Sequence, residues 1–151
     1  MNSETFVKLM KYIDHNPMAC LSTVNDDGTP YGAIVYVCSL SNRTICFVTK
    51  NGTQKYANLI ARPMVSLTIG NDKDSSTLQA SGKAFVIDDP EIINAAMEKM
   101  NEVHATMPEW LPPLSKLRAG TYTIIGIELT HARLGEFQGL GIGSHQIFTE
   151  I

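Results

Sequence analysis

Apolar residues recur at Phe6, Leu9, Met10 and Ile13, the three- and four-residue spacing of one helix face. Ser3 is available as a cap and Asn16-Pro17 as a stop, so the chain should open with a short helix laid on the core. From Met18 the period changes. Met18 to Val24 reads as a strand, and Asn25-Asp26-Asp27-Gly28-Thr29-Pro30 is a strong turn signal. Tyr31 to Cys38, rich in β-branched and aromatic residues, is the next strand. A polar turn from Ser39 to Arg43 leads to a third, Thr44 to Thr49. Strands joined by such short turns predict an antiparallel meander, because parallel neighbours need a long crossover.

After Lys50 to Gly52 a short helix is expected from about Thr53 to Ala61, with Tyr56, Leu59 and Ile60 as its apolar face and Arg62-Pro63 as its end. Met64 to Ile69 is the fourth strand, and Thr77 to Ile87 a long fifth. Gly82 inside it marks a bulge or sharp bend. Asp88-Asp89-Pro90 opens a helix whose stripe of Ile92, Ile93, Ala96, Met97, Met100 and Val103 is read as core packing. Met107 to Pro113 reads as a proline-interrupted loop, Thr121 to Leu129 as a sixth strand, and the glycine-rich stretch from Gly135 to Ile151 fits no element. The pattern predicts a mainly β, six-stranded antiparallel barrel, closed or partly closed, with short peripheral helices and one domain over residues 1–151.

Composition narrows the class. The 151 residues are 44% apolar and 18% charged, as in a globular domain. A net charge of −3 argues against a dedicated nucleic-acid binder. No apolar run approaches the ~20 residues of a bilayer span. The start, Met1-Asn2-Ser3-Glu4, does not resemble a signal peptide, and the expectation is a cytoplasmic protein without a membrane partner. Three separated cysteines, Cys20, Cys38 and Cys46, form neither a disulfide framework nor a zinc pattern and are read as buried thiols, with redox sensing as the second reading. No histidine spacing suggests a metal, and no nucleophile–base arrangement is readable.

One turn carries chemistry. In Thr49-Lys50-Asn51-Gly52-Thr53-Gln54-Lys55 a strand ends in a hydroxyl and an ammonium, a glycine follows, and Thr53 caps a helix. Backbone N–H groups at a helix start, with the dipole behind them, favour an anion, and Lys50 and Lys55 stand near enough to add charge-assisted bonds. The alternative is a surface turn with two solvated lysines.

At these residues the chain resembles the FMN-binding split barrels related to pyridoxamine 5′-phosphate oxidase. The similarity runs from about Met18 to Ile87. It includes Asp27-Gly28-Thr29-Pro30-Tyr31, the Thr49-to-Lys55 segment entering Tyr56-Ala57-Asn58-Leu59, Pro63-Met64-Val65-Ser66-Leu67 and Gly82-Lys83-Ala84. The resemblance implies FMN as cofactor. Ala33, Ile34, Val35 and Tyr36 would give backbone and ring contacts, and Val48 and Thr49 would lie beside the ring and ribityl chain. Thr53, Gln54 and Lys55 would hold the phosphate, with Lys50 as helper, and Thr77 or Gln79 would bond the flavin's polar edge. It also implies a homodimer with flavin at the subunit interface.

The departures bear on substrate. Gln54 stands where the vitamin B6 enzyme has a basic residue, Cys38 where it has a lysine, and its arginine–histidine substrate segment has no match in Gly135 to Ile151. The expectation is a flavin-dependent oxidoreductase acting on a small molecule other than a B6 phosphate. A non-catalytic FMN or haem sensor or carrier is the alternative, and a barrel that has lost its ligand is a third reading. His145 is a candidate haem ligand, Trp110 a packing or lid residue, and Gly139 to Ser144 a closing loop rather than a dinucleotide motif.

Overall fold

The computed structural model describes residues 3–41, 43–71, 73, 75–105, 121–137 and 148–150. Its elements are α1 (Ser3–His15), β1 (Met18–Val24), β2 (Pro30–Tyr36), β3 (Cys38–Ser41), β4 (Thr44–Lys50) and α2 (Gln54–Ala61). They continue as β5 (Met64–Asn71), β6 (Ser76–Ile87), α3 (Pro90–Ala105), β7 (Tyr122–Glu136) and β8 (Phe148–Glu150). The expected loop from Met107 to Pro113, Trp110, the glycine run from Gly139 to Ser144 and His145 lie outside the described residues.

All strands join one antiparallel sheet in the order β2-β1-β5-β6-β7-β4-β3, with β8 paired to β7. The two ends of that path, β2 and β3, are separated in the chain by Val37 alone. Seven strands laid flat would hold their outer edges about 29 Å apart, six spacings of ~4.8 Å. Tyr36 and Cys38 span one residue, so the sheet has to curl until its edges meet. The result is a split barrel: β2 and β4 approach each other across the seam without sharing a ladder.

This corrects two expectations. The strand read as Tyr31 to Cys38 divides at Val37, whose N–H bonds Pro17 O at 2.8 Å. The expected meander is therefore broken, and with β8 the described residues hold eight strands rather than six. The β-rich composition of the segment hides the break, since both halves are strand and only their partners change.

The barrel interior takes alternate residues: Ala19 and Leu21 from β1, Ile45 and Phe47 from β4, Leu67 and Ile69 from β5, Leu78 and Ala80 from β6, Ile125 and Ile127 from β7. Leu9 and Ile13 of α1 join this cluster, as their spacing predicts. A second cluster lies outside, where α3 sets Ala96, Met100 and Val103 against Cys38, Cys46, Ile87 and Ile124. Asp14 ties the layers: its carboxylate accepts from Ser39 N and Oγ, both at 2.7 Å, and pairs with Lys99 at 3.0 Å. That hydrogen bond raises the Lys99 ammonium above its ordinary pKa.

Gly82 marks the expected bulge, whose extra residue is on the facing strand β7. The β6–β7 register slips there, Ser81 opposing His131 and Gly82 opposing Leu129, so Thr130 is extra. The α3 start also forms as read, with Glu91 N donating to Asp89 Oδ1 at 2.8 Å. Among the described residues no helix is long and apolar enough to cross a membrane.

Candidate functional site

Lys50 ends β4 and Gln54 begins α2, so the phosphate-like turn occupies the corner between them. Thr53 is the N-cap, with extended φ −91° and ψ 152°; its hydroxyl accepts from Tyr56 N at 3.4 Å and donates to Lys50 O at 2.9 Å. With its one proton so used, Thr53 Oγ1 receives the Thr49 hydroxyl at 3.2 Å. Thr49 is 4% exposed and points inward. The two threonines therefore build the corner rather than project from it. The backbone N–H groups of Gln54 and Lys55, in the first turn of α2, meet no protein acceptor among the described residues. A Cβ at Gly52 would touch nothing within 4 Å, so the fold itself makes no demand for glycine there.

Lys55 is the unusual charge. It is half-buried, and burial alone holds its ammonium below the ordinary lysine pKa. No carboxylate pairs with it among the described residues. Lys50 points elsewhere: its Nζ sits 5.9 Å from the centroid of the Tyr122 ring, its register partner on β7.

Asn58 escaped the sequence reading. It was passed over for Tyr56, Leu59 and Ile60, yet Asn58 is 1% exposed while Ile60 is 57% exposed. Asn58 Nδ2 donates to Thr23 Oγ1 at 3.0 Å and to Asn25 Oδ1 at 2.9 Å, and its Oδ1 accepts from Gln54 Nε2 at 2.9 Å. This satisfied amide pins α2 to the β1–β2 turn, which Asp27 closes by accepting from Thr29 N and Oγ1. The signal available was an asparagine four residues after a glutamine within a short helix. Gln54 thus lends its side-chain amide to the scaffold and presents its backbone N–H at the helix start.

Across the seam, β2 supplies Ala33, Ile34, Val35 and Tyr36. There β2 comes close to β4 without sharing a ladder with it. Ile34 is exposed, Tyr36 and Ala33 are half-buried, and Val35 enters the core, leaving only its backbone for any ligand. As a path end, β2 turns every second backbone N–H and C=O toward the split.

Thr77 and Gln79 are not brought to this corner. Ile34, Cys20, Thr68 and Gln79 form one row across β2, β1, β5 and β6, which places Gln79 three strand spacings, about 14 Å, from Ile34 along a curving outer face. Thr77 Oγ1 donates to Ile69 O at 3.1 Å, and Gln79 Oε1 accepts from Arg133 Nε at 2.8 Å. Arg133, also missed in the sequence, turns the Gln79 carboxamide so that its NH2 is the remaining polar group, because a guanidinium only donates.

Residues 7–134 match the family model described as pyridoxamine 5′-phosphate oxidase. No curated protein matches the sequence significantly. Among solved structures, a pyridoxamine 5′-phosphate oxidase-related, FMN binding protein from Nostoc punctiforme superposes with a TM-score of 0.66 at 11% identity, over 100% of this chain and 96% of its own. A conserved hypothetical protein from Mycobacterium tuberculosis gives 0.70 at 17% identity, over 97% and 92%. An F420 reductase gives 0.63 at 23% identity, over 81% and 93%. At such identities these likenesses carry the fold alone.

Proposed function

Because the chain belongs to the pyridoxamine 5′-phosphate oxidase family, we propose that it binds FMN at the β2–β4 seam and acts as a flavin-dependent oxidoreductase on a small molecule. The observation that carries this reading is Lys55, in the first turn of α2: a half-buried lysine that meets no carboxylate among the described residues, at a helix start where the Gln54 and Lys55 N–H groups meet no acceptor among them. A desolvated cation at a helix N-terminus suits a phosphate, which would restore its interaction energy.

In this reading Lys55 and the Gln54 and Lys55 amides hold the phosphate, while Thr53 and Thr49 keep the corner rigid. Ala33 to Tyr36 offer the open backbone edge of β2, and Val48 packs beside the ring. Gln79, or Thr77, would reach a flavin from a second copy of the chain. When bound, FMN supplies hydride transfer, and the protein supplies position and electrostatics. No acid or base side chain is assigned. The B6 phosphate reaction is disfavoured by Cys38, which stands where the B6 enzyme has a lysine and is wholly buried.

The outer face of β1, β2 and β5 supports a homodimer as part of this reading. Met18, Cys20, Ser22 and Val24, with Gly32 and Ile34 and then Ser66 and Thr68, present no charge, and Met18 and Ile34 are more than half exposed. An uncharged sheet face flanking the seam suits a second copy.

The absorption spectrum of the purified protein, with FMN titration, tests the proposal. Bands near ~370 and ~450 nm, and a melting temperature that rises with FMN, are expected. A Soret band near ~400 nm would replace flavin with haem. A colourless protein whose melting temperature ignores FMN would overturn the reading.

A further inference from the structure

Cys38 and Cys46 are direct register partners on β3 and β4, and their Sγ atoms stand 3.4 Å apart with both residues 0% exposed. Opposed residues of an antiparallel pair hold their Cα atoms roughly 4.5–5.5 Å apart, inside the range a disulfide spans. Bringing the sulfurs to bonding distance needs a closure of about 1.4 Å, within the reach of small rotations about the two χ1 angles. The backbone beside the pair has slack: the β3–β4 register shifts between Ser39 and Ser41, and β3 is a four-residue strand at the end of the sheet path. Cys20 takes no part, being on β1, whose ladder partners are β2 and β5.

We infer that Cys38 and Cys46 form a reversible disulfide that staples β3 to β4 beneath α3. The chemistry is thiol–disulfide exchange with a low-molecular-weight disulfide. One cysteine sulfur attacks it as a thiolate, forming a mixed disulfide and releasing one small thiol. The second cysteine then displaces the other, so two protein S–H bonds become one S–S bond and the reagent is reduced to two thiols. A dithiol reductant reverses both steps.

The surroundings set the pace and the consequence. Met100, Ala96 and Val103 of α3 cover the pair, so the reagent enters when that helix lifts. Hydrogen bonding to Cys46, then burial, pushes the Cys38 thiol well above its ordinary pKa, and Asp14 adds to this while Lys99 opposes it. Exchange is therefore slow, and quicker in alkaline buffer. The bond would fix the β3–β4 pair just where the chain crosses the seam, two residues before Val48. This holds whatever ligand the seam takes.

The experiment incubates the full chain with bis(2-hydroxyethyl) disulfide under native conditions, followed by denaturation, thiol alkylation and peptide mapping. Expected are a Cys38–Cys46 linkage with the mass of two hydrogens lost, a single alkylated thiol at Cys20, an unchanged far-UV circular dichroism spectrum, and recovery of three thiols after dithiothreitol. Cys20→Ser should keep the linkage. Three free thiols after prolonged exposure, reagent adducts at Cys20 alone, or a linkage appearing only once the native spectrum is lost would each overturn the inference.

Discussion

At the scale of residues, the proposed site turns on Lys55, a half-buried lysine that meets no carboxylate among the described residues. Burial sets the Lys55 pKa below the ordinary 10.5. Between the two values the unfolded chain binds more protons, so this group's cost to stability is full below the lowered pKa and fades as pH rises through it toward 10.5. Lys55→Met keeps most of the stem and removes the charge. It should stabilise the ligand-free protein by a few tenths of a kcal/mol, the screened size suited to a half-exposed group, and the gain should shrink in alkaline buffer. The same change should weaken FMN binding by about ten- to a hundredfold, the loss of a charge-assisted bond of roughly 1.5–3 kcal/mol. Thermal melts at two pH values and a flavin fluorescence titration read both effects; wild-type affinity in the variant would remove Lys55 from the site. That a lysine follows a capped helix start was legible in the sequence. Its desolvation was not, because burial depends on elements far along the chain. Asn58 was illegible for the same reason: its partners Thr23 and Asn25 lie 35 and 33 residues away.

Among the elements, local pattern placed most starts well but not every end or partner: β7 runs to Glu136, seven residues past the expected Leu129, and β8 lies in a stretch that was assigned no element. β1 matches its predicted span residue for residue, and the bulge at Gly82 was foreseen because a glycine inside a long strand has few other uses. The break at Val37 was missed because strand propensity is equal on both sides of it, and only long-range pairing distinguishes β2 from β3. Gly82 also has a steric reason. A Cβ there would overlap the Glu128 carbonyl oxygen and stand 2.8 Å from Ile127 Cγ2. Backbone cannot yield as a side-chain tip does, so Gly82→Ala should cost about 2–4 kcal/mol in urea unfolding. A loss within about 0.5 kcal/mol, the size of an ordinary surface change, would show that β7 shifts freely and that the bulge is not held by this contact.

The whole molecule raises the question of what covers its uncharged face. Ile34 stands 57% exposed at the seam, in a row with Cys20, Thr68 and Gln79 that crosses four strands without a charge. In a single copy that row is open; the proposed dimer, packed through it, would carry each copy's Gln79 toward the other's seam. One substitution separates these states. Ile34→Glu on an exposed monomer surface should alter stability little, because its side chain is already in water. In a dimer it buries a carboxylate against an apolar partner, at a cost of several kcal/mol per site. Sedimentation should then show a monomer that keeps the native circular dichroism spectrum, and FMN affinity should fall with dimerisation, since the proposed site draws on both copies. Lys55→Met, by contrast, should lower FMN affinity and leave the dimer intact. If Ile34→Glu sediments like the wild type, the uncharged face is not the subunit interface, and the assignment of Gln79 to the partner's flavin falls with it.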